Sequence, residues 1–149
     1  MLSPTHLRRL FTGLRAILDF SAVGEVTLEA NPATFTSRTA HLYEELGVTR
    51  VSLGVQSFLG KHLETLGREH SPMQAISSVH LLREASNLEV SIDLIFSVPS
   101  QSLLDWEDTL TQALALQPDH LSAYNLTYEE DTAFFEKFQK GTFQDDSNL

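Results

Sequence analysis

Glu29, Gln56, Arg68 and Asp93 lie far apart in a chain of 149 residues, yet each sits in or just after an apolar run that reads as part of an α/β core. A carboxylate, a guanidinium or a primary amide in such a place needs a partner, because polar groups removed from water are costly unless they are hydrogen-bonded. Together they could hold a polar ligand: carboxylates accept from hydroxyls or an ammonium, arginine meets a carboxylate, and glutamine both donates and accepts. Taken singly, Glu29 also reads as a solvated strand end, Arg68 as an exposed helix-end cation and Gln56 as a turn residue. Asp93 is harder to reduce to background, since it stands inside SIDLIF with apolar neighbours. It calls for a partner such as Arg68 or a ligand hydroxyl.

The elements that must position these residues follow from apolar periodicity and from start and stop signals. Ser3 and Pro4 open a helix carrying Leu7, Leu10, Phe11, Leu14, Ile17 and Leu18 at helical spacing. The segment EVTLEANP alternates Val26, Leu28 and Ala30 with Thr27, Glu29 and Asn31, and Pro32 ends this first strand. A helix from Ser37 to Leu46 ends at Gly47, and RVSLGVQS is the second strand. A short helical stretch through Leu63 and Leu66 stops at Gly67, after which Ser71, Pro72 and Gln74 form a capping box for the next helix. EVSIDLIFSV is the third strand. Ser102 and Asp105 begin a helix with Leu103, Leu104, Leu110, Ala113 and Leu116 as its buried stripe, and HLSAYNLTY is the fourth strand.

Strands joined by helices imply right-handed crossovers, a parallel sheet and an α/β fold. Within the strands, Val51, Leu53, Val55, Val90, Ile92, Leu94 and Phe96 oppose Ser52, Gly54, Gln56, Ser91, Asp93 and Ile95. One face packs helices and the other is small and polar. A barrel filled by its own side chains would carry bulky branched residues inside, so this pattern predicts part of a (β/α) barrel whose lumen holds a ligand. The organisation expected is a partial barrel over 1–140 and a polar tail over 141–149. Phe134, Phe135, Phe138 and Trp106 read as packing residues.

Composition narrows the function classes. Twenty acidic residues against ten basic ones give a formal charge of -10, which opposes binding to nucleic acid or to anionic membranes. No apolar stretch approaches the roughly 20 residues that span a bilayer, and MLSPTHLRRLF is unlike a signal peptide, so a cytoplasmic protein is expected. There is no cysteine, which closes thiolate and disulfide chemistry to these residues. His6, His41, His62, His70, His80 and His120 show no metal-ligand spacing and read as surface or packing residues.

The series LEANP at 28–32, GVTRVSLGVQSF at 47–58, LGREHS at 66–71, IDLIFSVPSQ at 92–101 and HLSAYNLTYEEDTAF at 120–134 resembles radical S-adenosylmethionine proteins. Within them it is similar to the oxygen-independent coproporphyrinogen III oxidase-like group, most of all its heme chaperone branch. The resemblance implies that Glu29, Gln56, Arg68 and Asp93 contact S-adenosylmethionine, with a 4Fe-4S cluster and heme or porphyrin as further ligands of the full-length family. It also implies a CxxxCxxC loop and a glycine-rich GGTPS motif upstream of MLSPTHLRRL. Neither is present, so the expectation is a chain incomplete at both ends and inactive alone, with unpaired sheet edges that favour self-association. Ser97 and Val98 stand where the family usually has glycine and leucine. A fragment of a coproporphyrinogen oxidase, a non-catalytic S-adenosylmethionine-binding module and an interaction module without ligand are the alternatives.

Overall fold

The computed structural model describes residues 2–127. The polar tail and the segment holding Phe134, Phe135 and Phe138 lie outside them. In chain order the helices are α1 (Pro4–Ile17), α2 (Ser37–Glu45), α3 (Gly60–Thr65), α4 (Pro72–Ala85) and α5 (Leu103–Ala115). The strands are β1 (Thr27–Ala30), β2 (Arg50–Gln56), β3 (Glu89–Phe96) and β4 (His120–Asn125). All strand pairings are parallel and the order is β1-β2-β3-β4, so each helical connection returns the chain to the next strand position. The four strands form an open sheet with flanking helices, the arrangement of a partial (β/α) barrel.

Local chemistry explains where the elements stop and start. The Ser71–Gln74 and Ser102–Asp105 capping boxes are both formed, and Ser3 caps α1 through the His6 amide. Two helices end in the same way. After α2, Gly47 takes φ +74°, its N–H reaches the Glu44 carbonyl, and the Val48 N–H reaches that of Tyr43. After α3, Gly67 takes φ +64°, its N–H reaches Glu64, and the Arg68 N–H reaches Leu63. This is the Schellman arrangement, in which glycine accepts a left-handed backbone at no steric cost.

Chemistry rather than burial separates the two sheet faces, since Ser52, Gln56 and Ser91 of the polar face are buried as well. Val51, Leu53, Val55, Val90, Ile92 and Leu94 are fully buried and join Ala75, Val79 and Leu82 of α4 in one core. Each such aliphatic side chain stabilises the fold by about 1.5–3 kcal/mol relative to exposure. Trp106 packs against Phe96 with ring centroids 5.6 Å apart.

Helical periodicity overstates the buried stripes of the outer helices. In α1 only Leu7 and Phe11 are buried, while Leu10, Ile17 and Leu18 are exposed. In α5 Leu103 and Leu104 are exposed and the buried residues are Thr109 and Ala113. Periodicity fixes which side chains share a stripe; what packs on that stripe depends on neighbouring elements. Two short 3-10 turns, Phe20–Ala22 and Pro32–Thr34, also escape a reading based on period alone.

Candidate functional site

The polar face of the sheet opens into a cleft of about 790 Å³ at the carboxyl ends of the strands. Its lining includes all four residues singled out from the sequence: Glu29 from β1, Gln56 from β2, Arg68 from the segment after α3, and Asp93 from β3. Asn31, Tyr124 and Asn125 complete the polar rim. In parallel-stranded α/β proteins ligands bind at this end, because loops and helix termini converge there.

Asp93 is half-buried, and its protein partner is Ser52 and not Arg68: the Ser52 hydroxyl lies 2.8 Å from both carboxylate oxygens. Ser52 is the neighbour on β2 that shares the polar face, so the period-two alternation already carried the signal for it. A single hydroxyl donor leaves most of the carboxylate's accepting capacity free for a ligand. Among the described residues neither Glu29 nor Arg68 forms an ion pair, and both are exposed. Two carboxylates and one guanidinium thus face a common space with their charges unmatched.

Gln56 reaches the cleft through an unusual backbone. The β2–β3 register shifts between Leu53 and Gln56, so β2 carries one more residue than β3 over this stretch. Gln56 itself has φ +67°, and the Ser57 N–H bonds to the Val55 carbonyl at 2.8 Å, which closes a γ-turn on Gln56. For a residue other than glycine such a backbone stores about 1–3 kcal/mol of strain, and it persists only where surroundings enforce it. Gly54 makes room for the result. A Cβ there would lie 2.9 Å from the Gln56 amide nitrogen, so any larger residue would displace the Gln56 side chain.

Two histidines beneath this end of the sheet are buried packing residues. Burial lowers the pKa of both; the Arg68 charge adds to the effect at His70, whereas Asp105 opposes it at His62. Among the described residues no group of three or more His, Cys, Asp or Glu is placed to hold a metal ion.

The open parallel sheet with flanking helices, and a cleft at the carboxyl ends of its strands, is the architecture of a partial (β/α) barrel. The Radical SAM superfamily pattern matches residues 3–113, and the chain belongs to this superfamily. Among its relatives are heme chaperones named HemW: that of Escherichia coli K12 is 40% identical over 134 residues, or 90% of this chain and 35% of the relative. HemW of Bacillus subtilis is 35% identical over 141 residues, covering 94% and 37% of the two chains. The chain therefore spans about a third of the length of these relatives. In three dimensions it is similar to the coproporphyrinogen III oxidase HemN of Escherichia coli, a radical SAM enzyme, with TM-score 0.80 and 26% identity over 99% of this chain and 33% of that one. Methylornithine synthase matches the fold with TM-score 0.76 at 14% identity.

Proposed function

We propose that this chain is the S-adenosylmethionine-binding part of a HemW-like heme chaperone, with Glu29, Gln56, Arg68 and Asp93 as the ligand contacts. The observation that carries the reading is the convergence of these four side chains, from four separate segments, on one cleft. Asp93 and Glu29 offer acceptors for ribose hydroxyls or the methionine ammonium, Arg68 offers two parallel N–H bonds to the methionine carboxylate, and Gln56 offers one donor and one acceptor. A ligand with a cationic sulfonium, an ammonium and a carboxylate matches the unmatched charges of the cleft.

A 4Fe-4S cluster belongs to the family chemistry, and it supplies the electron that cleaves S-adenosylmethionine when it is bound. These 149 residues include no cysteine, so the residues present do not fit a cluster. Their own contribution is to bind and orient. The chaperone branch is favoured over the oxidase branch by the stronger sequence similarity, 40% against 26% for the two Escherichia coli proteins. Heme handling, a cytoplasmic setting and pairing of β1 and β4, the edge strands among the described residues, with a second copy are parts of the same proposal. No helix of the described residues is long and apolar enough to cross a membrane.

Isothermal titration with S-adenosylmethionine tests the binding site. Saturable heat with the 149-residue chain that is lost in Asp93→Ala is the expected result. No heat with the native sequence, or unchanged affinity after Asp93→Ala, would defeat the proposal.

A further inference from the structure

Gln56 and Arg68 enter the cleft from different elements, and one buried side chain links the loop of the second to the strand of the first. His70 is only 3% exposed and does not line the cleft. Its Nε2 lies 3.0 Å from the Val55 carbonyl oxygen, fifteen residues earlier in the chain. That oxygen also accepts the Ser57 N–H, at 2.8 Å, in the turn that gives Gln56 its left-handed backbone. A carbonyl can only accept, so Nε2 carries the ring proton. A carbonyl oxygen has two lone pairs, and here it accepts from the Ser57 N–H across the strained Gln56 and from the His70 ring. The opposite nitrogen, Nδ1, is buried and has no hydrogen-bond partner among the described residues. The ring is thus committed to the single bond it makes with Val55.

We propose that His70 is a positioning residue for the cleft: its bond to the Val55 carbonyl holds the Gln56 turn and docks the loop carrying Arg68 against the same point. Arg68 is already oriented by the helix cap at Gly67, whose bonds from Gly67 and Arg68 to Glu64 and Leu63 fix the loop where it leaves α3. His70 fixes the same loop two residues later, just before Ser71 caps α4. The segment 67–71 is therefore pinned at both ends, once to its own helix and once to β2. Removing the imidazole would leave Val55 with only the γ-turn bond, which is a weak restraint on a left-handed glutamine. The turn then has a route back to extended backbone, and the Gln56 amide would leave the space that Gly54 keeps open.

The ligand consequence rests on the S-adenosylmethionine reading, whereas the geometric claim does not, so the two are measured separately on the 149-residue chain. Amide hydrogen exchange followed by NMR compares His70→Leu, which keeps bulk and removes the donor, with His70→Gln, whose amide nitrogen reaches about as far as Nε2. Val79→Ala, in the core away from the cleft, supplies a variant weakened by packing loss alone. In His70→Leu the Ser57 amide should exchange about tenfold faster relative to the Ile92 amide of the sheet centre. His70→Gln should restore the wild-type ratio, and Val79→Ala should leave that ratio unchanged. Should His70→Leu fail to fold, His70→Asn, whose amide stops one bond short of the carbonyl, serves as the broken variant. A Ser57 rate that rises only in step with Ile92, or a glutamine that fails to restore it, overturns the role of His70. S-adenosylmethionine titrated into the same variants should bind about tenfold more weakly to His70→Leu and near normally to His70→Gln. If the wild-type chain takes up no S-adenosylmethionine, the binding function falls while the exchange ratios still decide what His70 does.

Discussion

The two ends of this sheet are built from the same residue types and treat their charges in opposite ways. At the amino end Arg50 reaches Glu25 at 2.9 Å and Glu89 at 2.8 Å, and Arg83 reaches Asp119 at 2.9 Å. Asp119 also accepts the Val90 N–H at 2.8 Å, Thr49 accepts that of Val26 at 2.9 Å, and Glu44 accepts that of Asn87 at 2.8 Å. At the carboxyl end Glu29 and Arg68 stand without an ion pair among the described residues, and Asp93 has one serine. Backbone strain is distributed likewise: of the four non-glycine residues with positive φ among the described residues, Gln56 is the last of β2, Ser97 and Ser100 lie in the loop after β3, and Gln117 follows the end of α5. One end spends its polar groups on joining strands to loops. The other keeps them free, which is what a ligand requires.

The largest expected effect lies in the layer the two ends share. Leu53 is fully buried between them, and Leu53→Ala should lower the unfolding free energy by about 2–5 kcal/mol, read by urea melts. Because both ends hang on β2, this variant should also lose S-adenosylmethionine binding in proportion to the unfolded fraction. A paired comparison of two arginines then separates the ends. Arg50→Ala should cost about 1 kcal/mol of stability, diminishing at high salt because Glu25 and Glu89 are half-exposed, and should leave ligand affinity unchanged. Arg68→Ala should do the reverse, holding stability within about 0.5 kcal/mol and weakening S-adenosylmethionine about tenfold or more. Equal stability losses from both would erase the distinction between the ends.

A pH series probes the carboxyl end from below. His62 and His70 have pKa values lowered by burial, with the Arg68 charge adding at His70 and Lys61 at His62 while Asp105 opposes. Above the unfolded-state value of about 6.5 both states are neutral and the histidines leave stability independent of pH. As pH falls below it, the unfolded chain takes up protons first, so stability should decline towards each folded-state pKa. The Asp105 carboxyl, held down to about 2 chiefly by Lys61, acts in a lower window: its stabilisation is complete above about 4 and is lost as pH falls towards 2. Thermal melts between pH 7.5 and 5 should therefore fall in wild type and fall less in His62→Gln and in His70→Gln. A flat profile in wild type would contradict the burial of both rings.

Much of this was legible in the chain, because period-two alternation and helix caps are local signals. Glu29, Gln56 and Asp93 were assigned to strand ends or interiors by their neighbours, and the same alternation put Ser52 on the face where it meets Asp93. The Schellman glycines Gly47 and Gly67 were legible as stops for the same reason. The Gln56 backbone was not: a glutamine in the left-handed region leaves no mark in sequence, and Gly54 beside it hints only that space is needed. His70 was equally opaque, since its bond spans fifteen residues and depends on where α3 sets down the loop. The exposed leucines of α1 and α5 show the same limit, for a stripe names a face without naming what covers it.

The smallest expected effect concerns a non-glycine residue held in a left-handed turn after β3. Ser97 follows β3 with φ +59°, the left-handed region that glycine enters freely and serine enters at a cost of about 1–2 kcal/mol. The turn is held regardless, because the Val98 N–H bonds to the side chain of buried Gln101 at 3.3 Å, the Gln101 N–H bonds back to the Val98 carbonyl at 2.9 Å, and Leu126 N–H bonds to Phe96 at 3.0 Å. Ser97→Gly should relieve the strain while raising the entropy of the unfolded chain by about 0.4–1 kcal/mol, for a net gain of about 0.5 kcal/mol in a urea melt. A loss of stability would mean that the serine side chain does something in this turn beyond tolerating it. A gain without change in ligand affinity would show that strain at the carboxyl end is divisible. The share at Ser97 could then be removed freely, whereas the share at Gln56 is bound to the geometry of the cleft.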